Sequence, residues 1–234
     1  LLSASLGGAC DVWSVSLPQA PRDLAALESV LSPQERARAD AFLLPLPRRQ
    51  FIVARGALRT LLGRYLGISP SAVRFALNAH GKPLLDPACG LRFNVSHAGD
   101  LALIAVAGGF DVGVDVEVHR RIDDLASLAA SILCPADLER WCAASAVEGA
   151  AAFYRIWTCK EAVAKAIGCG LAMDFRSLRI SLAPGRAAAL ASLEPAWGQA
   201  AAWSLRELET ASGYCAAVAA STPDLKVTQR TLLL

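Results

Sequence analysis

Apolar positions along this chain recur at two periods, near two and near 3.6 residues, and the changes of period divide it into elements. Residues 11–17 alternate as a strand does. Residues 21–41 carry helical spacing, and Ser32-Pro33-Gln34-Glu35 within them reads like a capping box at a helix start. Pro45-Leu46-Pro47 reads as a break. Residues 48–66 then predict an amphipathic helix with Phe51, Ile52, Leu58, Leu61 and Leu62 on its apolar positions, ended by Gly67. A short strand over 73–77, a turn at His80-Gly81-Lys82-Pro83 and a hairpin of 91–95 with 101–107 follow. After Gly108-Gly109 a second series begins with a strand over 112–118, a short helix over 125–132 and a helix from Pro135 to about residue 144. The long helix comes next, over 150–167. Residues 178–182, 201–208 and 214–219 alternate like strands of a closing antiparallel sheet. Strand, long helix, then strands occurs twice, without a visible sequence repeat.

Composition narrows the class. At 234 residues and 54% hydrophobic, the chain has core material for one large domain or two compact ones, and wholesale disorder is excluded. A net charge of +2 is too small to argue for nucleic acid, but its distribution is uneven. Between Glu35 and Arg74 lie eight arginines (36, 38, 48, 49, 55, 59, 64, 74) against two acids, Glu35 and Asp40. Such a stretch suits phosphates or an acidic protein surface; a solvated helix face with arginine stems over apolar area explains several members equally well. The seven cysteines form no CxxC pair, and His80, His97 and His119 supply no zinc spacing, so free thiols in a reducing cytosol are expected. The longest apolar run, 101–110, is too short to span a bilayer. Leu6-Gly-Gly-Ala-Cys10 is like a lipoprotein cleavage site, yet no basic segment precedes it and the apolar stretch before it is too short. The missing initiating Met points to a trimmed or tagged chain.

Three segments carry candidate chemistry. In Trp157-Thr-Cys-Lys-Glu161-Ala-Val-Ala-Lys165 the acid and the base lie one helical turn apart on one face, with Trp157 a turn earlier. Gly168 and Gly170 supply the stop. A surface ion pair would show the same spacing. In Gly113-Val-Asp115-Val-Glu117-Val118 the alternation of a half-buried strand points Asp115 and Glu117 to one face and the valines to the other. Two adjacent carboxylates repel unless water or a cation intervenes, and hard oxygen ligands of this kind suit magnesium; an exposed face of solvated acids is the plain alternative. Phe93-Asn-Val-Ser96-His97-Ala-Gly-Asp100 reads as a turn between strands that presents Ser96, His97 and backbone amides to an anion, although a lone Ser-His is often turn chemistry only.

Together and in this order, Phe93-Asn-Val-Ser-His97, Gly113-Val-Asp-Val-Glu117 and Trp157-x-x-Lys-Glu-Ala-x-x-Lys165 with Gly168-x-Gly-Leu171 resemble the Sfp-type 4′-phosphopantetheinyl transferases. The likeness extends to Gly81-Lys82-Pro83 and to the basic stretch around Arg38, spanning roughly residues 12–220. It implies an α+β fold of two similar lobes related by a pseudo-twofold, each a small antiparallel sheet packed on a long helix. Residues 1–109 would be the coenzyme A-binding lobe and 110–234 the lobe of the magnesium ion and the catalytic helix. The implied reaction moves the phosphopantetheine arm of coenzyme A to a serine of an apo acyl or peptidyl carrier protein and releases adenosine 3′,5′-bisphosphate.

The resemblance assigns roles residue by residue. Asp115, Glu117 and Glu161 would hold the magnesium. Glu161 or a water would deprotonate the carrier serine, and Lys165 would face the pyrophosphate. Arg38, Lys82, Ser96 and His97 would surround the coenzyme's phosphates, while the stretch through Gly81 and Pro83 would run beside its adenine. A plain turn lysine is the lesser alternative for Lys82. Arg48, Arg49, Arg55 and Arg59 stay unassigned, and Trp157 reads as a core anchor for the catalytic helix. Asp137 stands where related enzymes often carry Glu. A cytoplasmic monomer is expected, free of membrane and nucleic acid, docking its carrier through residues 122–144. Two rivals remain: a non-catalytic module that binds coenzyme A or a carrier, and a magnesium phosphohydrolase.

Overall fold

The computed structural model describes residues 6–18, 21–142, 146–182 and 187–234. Residues 143 and 144 of the helix expected from Pro135 lie outside these. Strand β1 (Ala9–Ser16) leads into helices α1 (Pro21–Ser29), α2 (Pro33–Asp40) and α3 (Pro45–Leu66). The expected capping box is formed at Ser32: its hydroxyl accepts from the Glu35 amide, and the Glu35 carboxylate accepts from the Ser32 amide. Pro45-Leu46-Pro47 is the first turn of α3, not a break before it. First-turn amides have no intrahelical carbonyl to reach, so proline gives up no bond there.

Two hairpins follow, β2 (Phe75–Leu77) with β3 (Pro83–Leu85) and β4 (Leu91–Ala98) with β5 (Leu101–Gly108). The second half supplies β6 (Val112–Val118), α4 (Leu125–Ile132), α5 (Pro135–Cys142) and α6 (Ala146–Ile167). It ends with β7 (Arg179–Ser181), β8 (Ala189–Ser192), β9 (Ser204–Glu207), β10 (Tyr214–Ala220) and β11 (Lys226–Thr231). The architecture is mixed α+β.

The largest sheet has the order β11-β1-β5-β4 and the second β6-β10-β9; β2-β3 and β7-β8 are two-stranded sheets of their own, so the strand expected over 178–182 does not join the closing sheet. The second is antiparallel throughout. The first departs from the expected antiparallel sheet, because β11 runs parallel to β1 along its edge. Nothing in the sequence announced β11: Lys226-Val-Thr-Gln-Arg-Thr231 is polar, and only Val227 among its residues is not exposed. The last strand of the second half therefore completes the sheet of the first, and Leu232 joins that half's core.

The layers run helix, sheet, sheet, helix. The expected apolar stripe of α3 (Ile52, Leu58, Leu61, Leu62, with Phe51 at its margin) packs on Val15, Phe93, Ile104 and Val106. Phe153, Ala162, Val163 and Ala166 of α6 pack on Leu205, Ala217 and Ala219. Between the sheets, Val12, Leu103 and Ala105 meet Val114, Val116 and Val218. Strand β6 is thus covered on both faces rather than half-buried. Where β4 passes β6, side chains replace a backbone ladder: Asn94 Oδ1 accepts from the Val114 amide at 2.9 Å and Ser96 Oγ from the Val116 amide at 3.4 Å.

Much of the arginine-rich stretch is spent inside this framework. Arg48 pairs with Glu28 and Asp40, while Arg55 and Arg59 both grip the buried Glu35. Arg59 also bonds the carbonyls of Pro70 and Val73. Burial alone would raise the Glu35 carboxyl; the hydrogen bonds from Arg59, the Ser32 amide and Arg55 outweigh it and hold the group below the usual carboxylate range. A depressed folded-state pKa contributes stability above the unfolded value of about 4.3, lost as pH falls through the folded one. Glu35→Gln is expected to cost about 3 kcal/mol at pH 7, since it strands a buried guanidinium. The deficit against the parent should shrink below pH ~4 in urea unfolding.

Candidate active site

The site begins with a glycine. Gly113, Asp115 and Glu117 share the face of β6 that α6 covers, and a Cβ on Gly113 would lie 2.1 Å from the Ala162 carbonyl oxygen and 2.2 Å from the Ala166 amide nitrogen. Only a bare α-carbon admits the helix so near. That approach brings Lys165 onto Asp115 across fifty positions of sequence.

Asp115 is 2% exposed. Its Oδ1 accepts from Lys165 Nζ at 2.5 Å and from Ser96 Oγ at 2.8 Å, and Lys165 Nζ donates to Ser96 Oγ at 3.0 Å. These three side chains, from β4, β6 and α6, form one closed cluster. Burial raises the Asp115 carboxyl against the pull of Lys165 and Ser96. Burial also raises Glu161, a turn before Lys165; Lys165 opposes this, and the charges of Asp115 and Glu117 add to it. The three carboxylates therefore share one electrostatic neighbourhood. Glu117 Oε1 accepts from the Trp157 indole at 3.0 Å, and that ring packs on Phe175 with centroids 5.2 Å apart. Trp157 is a core anchor, as its spacing predicts, and also holds Glu117.

Among the described residues no group of three His, Cys, Asp or Glu side chains is placed to hold a metal ion. The Lys165 ammonium lies on Asp115 and the Trp157 indole on Glu117. Asp115 Oδ2, however, is buried with no hydrogen-bond partner. A buried, acceptor-only carboxylate oxygen left without a donor suits a hard divalent cation.

The other expected site residues fall in different places. Ser96 and His97 are strand residues, not turn residues, because β4 runs on to Ala98 before the reversal at Gly99-Asp100. His97 alternates away from Ser96 and is exposed; partial cover and then the Lys165 charge still hold its imidazole below the ordinary range. Arg38 is exposed on α2, its guanidinium 5.4 Å above the Phe51 ring. Gly81 is at the exposed tip of the β2–β3 turn and Pro83 opens β3. Lys82 donates to the carbonyls of Ala166 and Val112. Among the described residues, none of Arg38, Gly81, Lys82 and Pro83 hydrogen-bonds to the Ser96–Asp115–Lys165 cluster.

Several structural roles escaped the sequence. Lys160, beside Glu161 but turned to other partners, is wholly buried; it donates to the carbonyls of Ile132 and Phe175 at 2.8 and 2.7 Å, and burial pushes it down to about 8. A lysine within an apolar helix stripe was the only signal. Asn94 also had one, its place two residues before Ser96 on the same strand face. Asp137 is buried and ion-paired with Arg140 and Arg179, its carboxylate accepting from the Cys134 thiol at 3.1 Å. All seven cysteines are free thiols.

Residues 16–108 match the family described as 4′-phosphopantetheinyl transferase, N-terminal, and residues 111–219 match the 4′-phosphopantetheinyl transferase superfamily. The chain belongs to that superfamily, whose members are transferases. It is 40% identical over 212 residues to the 4′-phosphopantetheinyl transferase HetI of Nostoc sp., covering 89% of this chain and 86% of that one. Over 192 residues it is 27% identical to the L-aminoadipate-semialdehyde dehydrogenase-phosphopantetheinyl transferase of Homo sapiens, covering 75% of this chain and 59% of the human one. A crystal structure of Thermotoga maritima holo-[acyl-carrier-protein] synthase is similar in part, with a TM-score of 0.37, 16% identity, and 49% of this chain and 64% of that chain covered.

Proposed function

We propose that this chain is an Sfp-type 4′-phosphopantetheinyl transferase that moves the phosphopantetheine group of coenzyme A to a serine of an apo acyl or peptidyl carrier protein. The observation that carries the reading is the cluster of Asp115, Ser96 and Lys165, with Asp115 Oδ2 buried and unpartnered and the charges of Glu117 and Glu161 acting on the same neighbourhood. Asp115, Glu117 and Glu161 would hold magnesium, which when bound neutralises pyrophosphate charge and stabilises that of the leaving phosphate.

The chain's own groups supply the rest. The carrier serine oxygen attacks the β-phosphorus, the bridging P–O bond breaks, and adenosine 3′,5′-bisphosphate departs. Glu161 takes the serine proton, directly or through a water; burial raises its pKa, which strengthens it as a base. Lys165 Nζ has three donors, of which Asp115 and Ser96 use two, and its partly exposed ammonium keeps one for a phosphate oxygen. Arg38 and His97, both exposed, would meet the coenzyme's outer phosphates, with the turn through Gly81 and Pro83 beside its adenine. Lys82 has less freedom for such a role, two of its donors being committed to carbonyls.

The two 22-residue helices, each on its own sheet, support the pseudo-twofold reading, with coenzyme binding in 1–109 and catalysis in 110–234. A cytoplasmic monomer fits this layout, and no described helix is long and apolar enough to cross a membrane. Incubation with coenzyme A, magnesium and an apo-carrier domain should add one phosphopantetheine to the carrier by intact mass. An unchanged carrier with bound coenzyme would mean a binding module, and degraded coenzyme A a phosphohydrolase.

A further inference from the structure

We infer that Asn78 and Lys82 are positioning residues for the transfer step, clamping the end of α6 and the start of β6 so that Glu161, Lys165 and Asp115 keep their register. The inference rests on the transferase reading, and gives Lys82 a different task from phosphate contact.

The clamp is built from a shaped turn. Asn78 Oδ1 accepts from the amides of His80 and Lys82 at 2.9 and 2.8 Å, and the Asn78 amide donates to the Lys82 carbonyl at 3.0 Å. The turn, so fixed, points two donors at the other half of the molecule. Asn78 Nδ2 reaches the Gly168 carbonyl at 2.9 Å. Lys82 Nζ reaches the Ala166 carbonyl at 2.9 Å and the Val112 carbonyl at 3.2 Å.

These acceptors are well placed for a role in register. Ala166 follows Lys165 directly, and Val112 stands three residues before Asp115 on β6. One ammonium therefore grips both elements whose contact defines the site. The last carbonyls of a helix have no intrahelical donor, and a cation there is favoured by the helix dipole. Burial lowers the Lys82 pKa, as its withdrawal between the halves requires. Gly168 completes the arrangement: its φ is +79°, and a Cβ would lie 2.9 Å from Lys82 Cδ and 3.0 Å from Asn78 Nδ2. In the middle of α6, one turn before Glu161, the Trp157–Glu117 bond makes a second tie to β6, so the stretch that carries Glu161 and Lys165 is held on either side.

Lys82→Met keeps the aliphatic stem and removes the donors. It should lower kcat by about tenfold or more while KM for coenzyme A stays within about threefold, because a misplaced group acts on the transition state rather than on ground-state binding. Asn78→Asp keeps the acceptor that shapes the turn but loses the donor to Gly168, and should show the same split. Lys82→Arg, which retains donors, should recover much of the rate. Amide hydrogen exchange over residues 160–168 should quicken in Lys82→Met and Asn78→Asp relative to the parent. A raised KM with kcat preserved would assign Lys82 to the phosphates and overturn the clamp. A lower melting temperature with unchanged kcat, KM and exchange pattern would make the residues merely structural, and overturn it too. If the parent chain transfers nothing to any carrier, the transferase reading fails and the exchange comparison alone decides the clamp.

Discussion

Glu161→Gln is expected to slow single-turnover transfer by about two to four orders of magnitude and to leave coenzyme A affinity within about threefold. The amide matches the carboxylate in size and keeps the packing of α6 on β6. What it loses is the proton acceptor and one of three negative charges in a shared neighbourhood. An interaction made only in the transition state lowers the rate without weakening ground-state binding. Loss of the raised carboxyl should also flatten the acidic limb of the pH–rate profile, because in the parent the rate falls as pH drops through the Glu161 pKa and the base becomes protonated. Calorimetry of coenzyme A binding beside quench-flow transfer separates the two quantities. A fully active Glu161→Gln enzyme would sink the proposed mechanism, whatever its family.

Gly113→Ala should have an effect of comparable size for a wholly different reason. The added methyl would meet a helix carbonyl oxygen and a backbone nitrogen near 2 Å, and neither can rotate aside as a side chain would. Either α6 lifts from β6 or β6 bends away. Overpacking of this kind costs about 1–3 kcal/mol or more, and a displacement of about 1 Å between reacting groups costs roughly a hundredfold in rate. The variant should therefore unfold at lower urea and, where still folded, transfer at least about a hundredfold more slowly. It touches no carboxylate and no lysine head-group. If its rate stayed within threefold of the parent, the close seating of α6 on β6 would have no part in building the site.

The two substitutions show where sequence reasoning succeeded and where it stopped. Glu161 and Lys165 were legible because helical periodicity places them on one face, and Asp115 and Glu117 because strand alternation does the same. Those are local relations. The capping box at Ser32 and the apolar stripe of α3 were legible on the same ground, and the structure contains both. Ser96 was found as a residue but given the wrong backbone, since a polar Ser-His pair in an apolar stretch looks like a turn when its partner Asp115 is unseen. With Asp115 accepting its proton and the Val116 amide donating to its oxygen, a buried serine sits comfortably in a strand.

The sequence by itself determined the mixed helix and strand content, the two carboxylate-bearing elements, the acid and base one turn apart, and the motif order that marks the family. Each follows from the residue types and a backbone period. The tertiary structure alone decided that β11 closes the first sheet, that Arg48, Arg55 and Arg59 are ion-paired rather than waiting for a ligand, and that Lys82 and Asn78 hold α6. It also decided that Lys165 lies on Asp115. All of these join residues far apart along the chain, and no local period encodes them. They exist because two sheets and two helices must bury their apolar faces together, and the polar groups carried inward must then find partners wherever the packing leaves them.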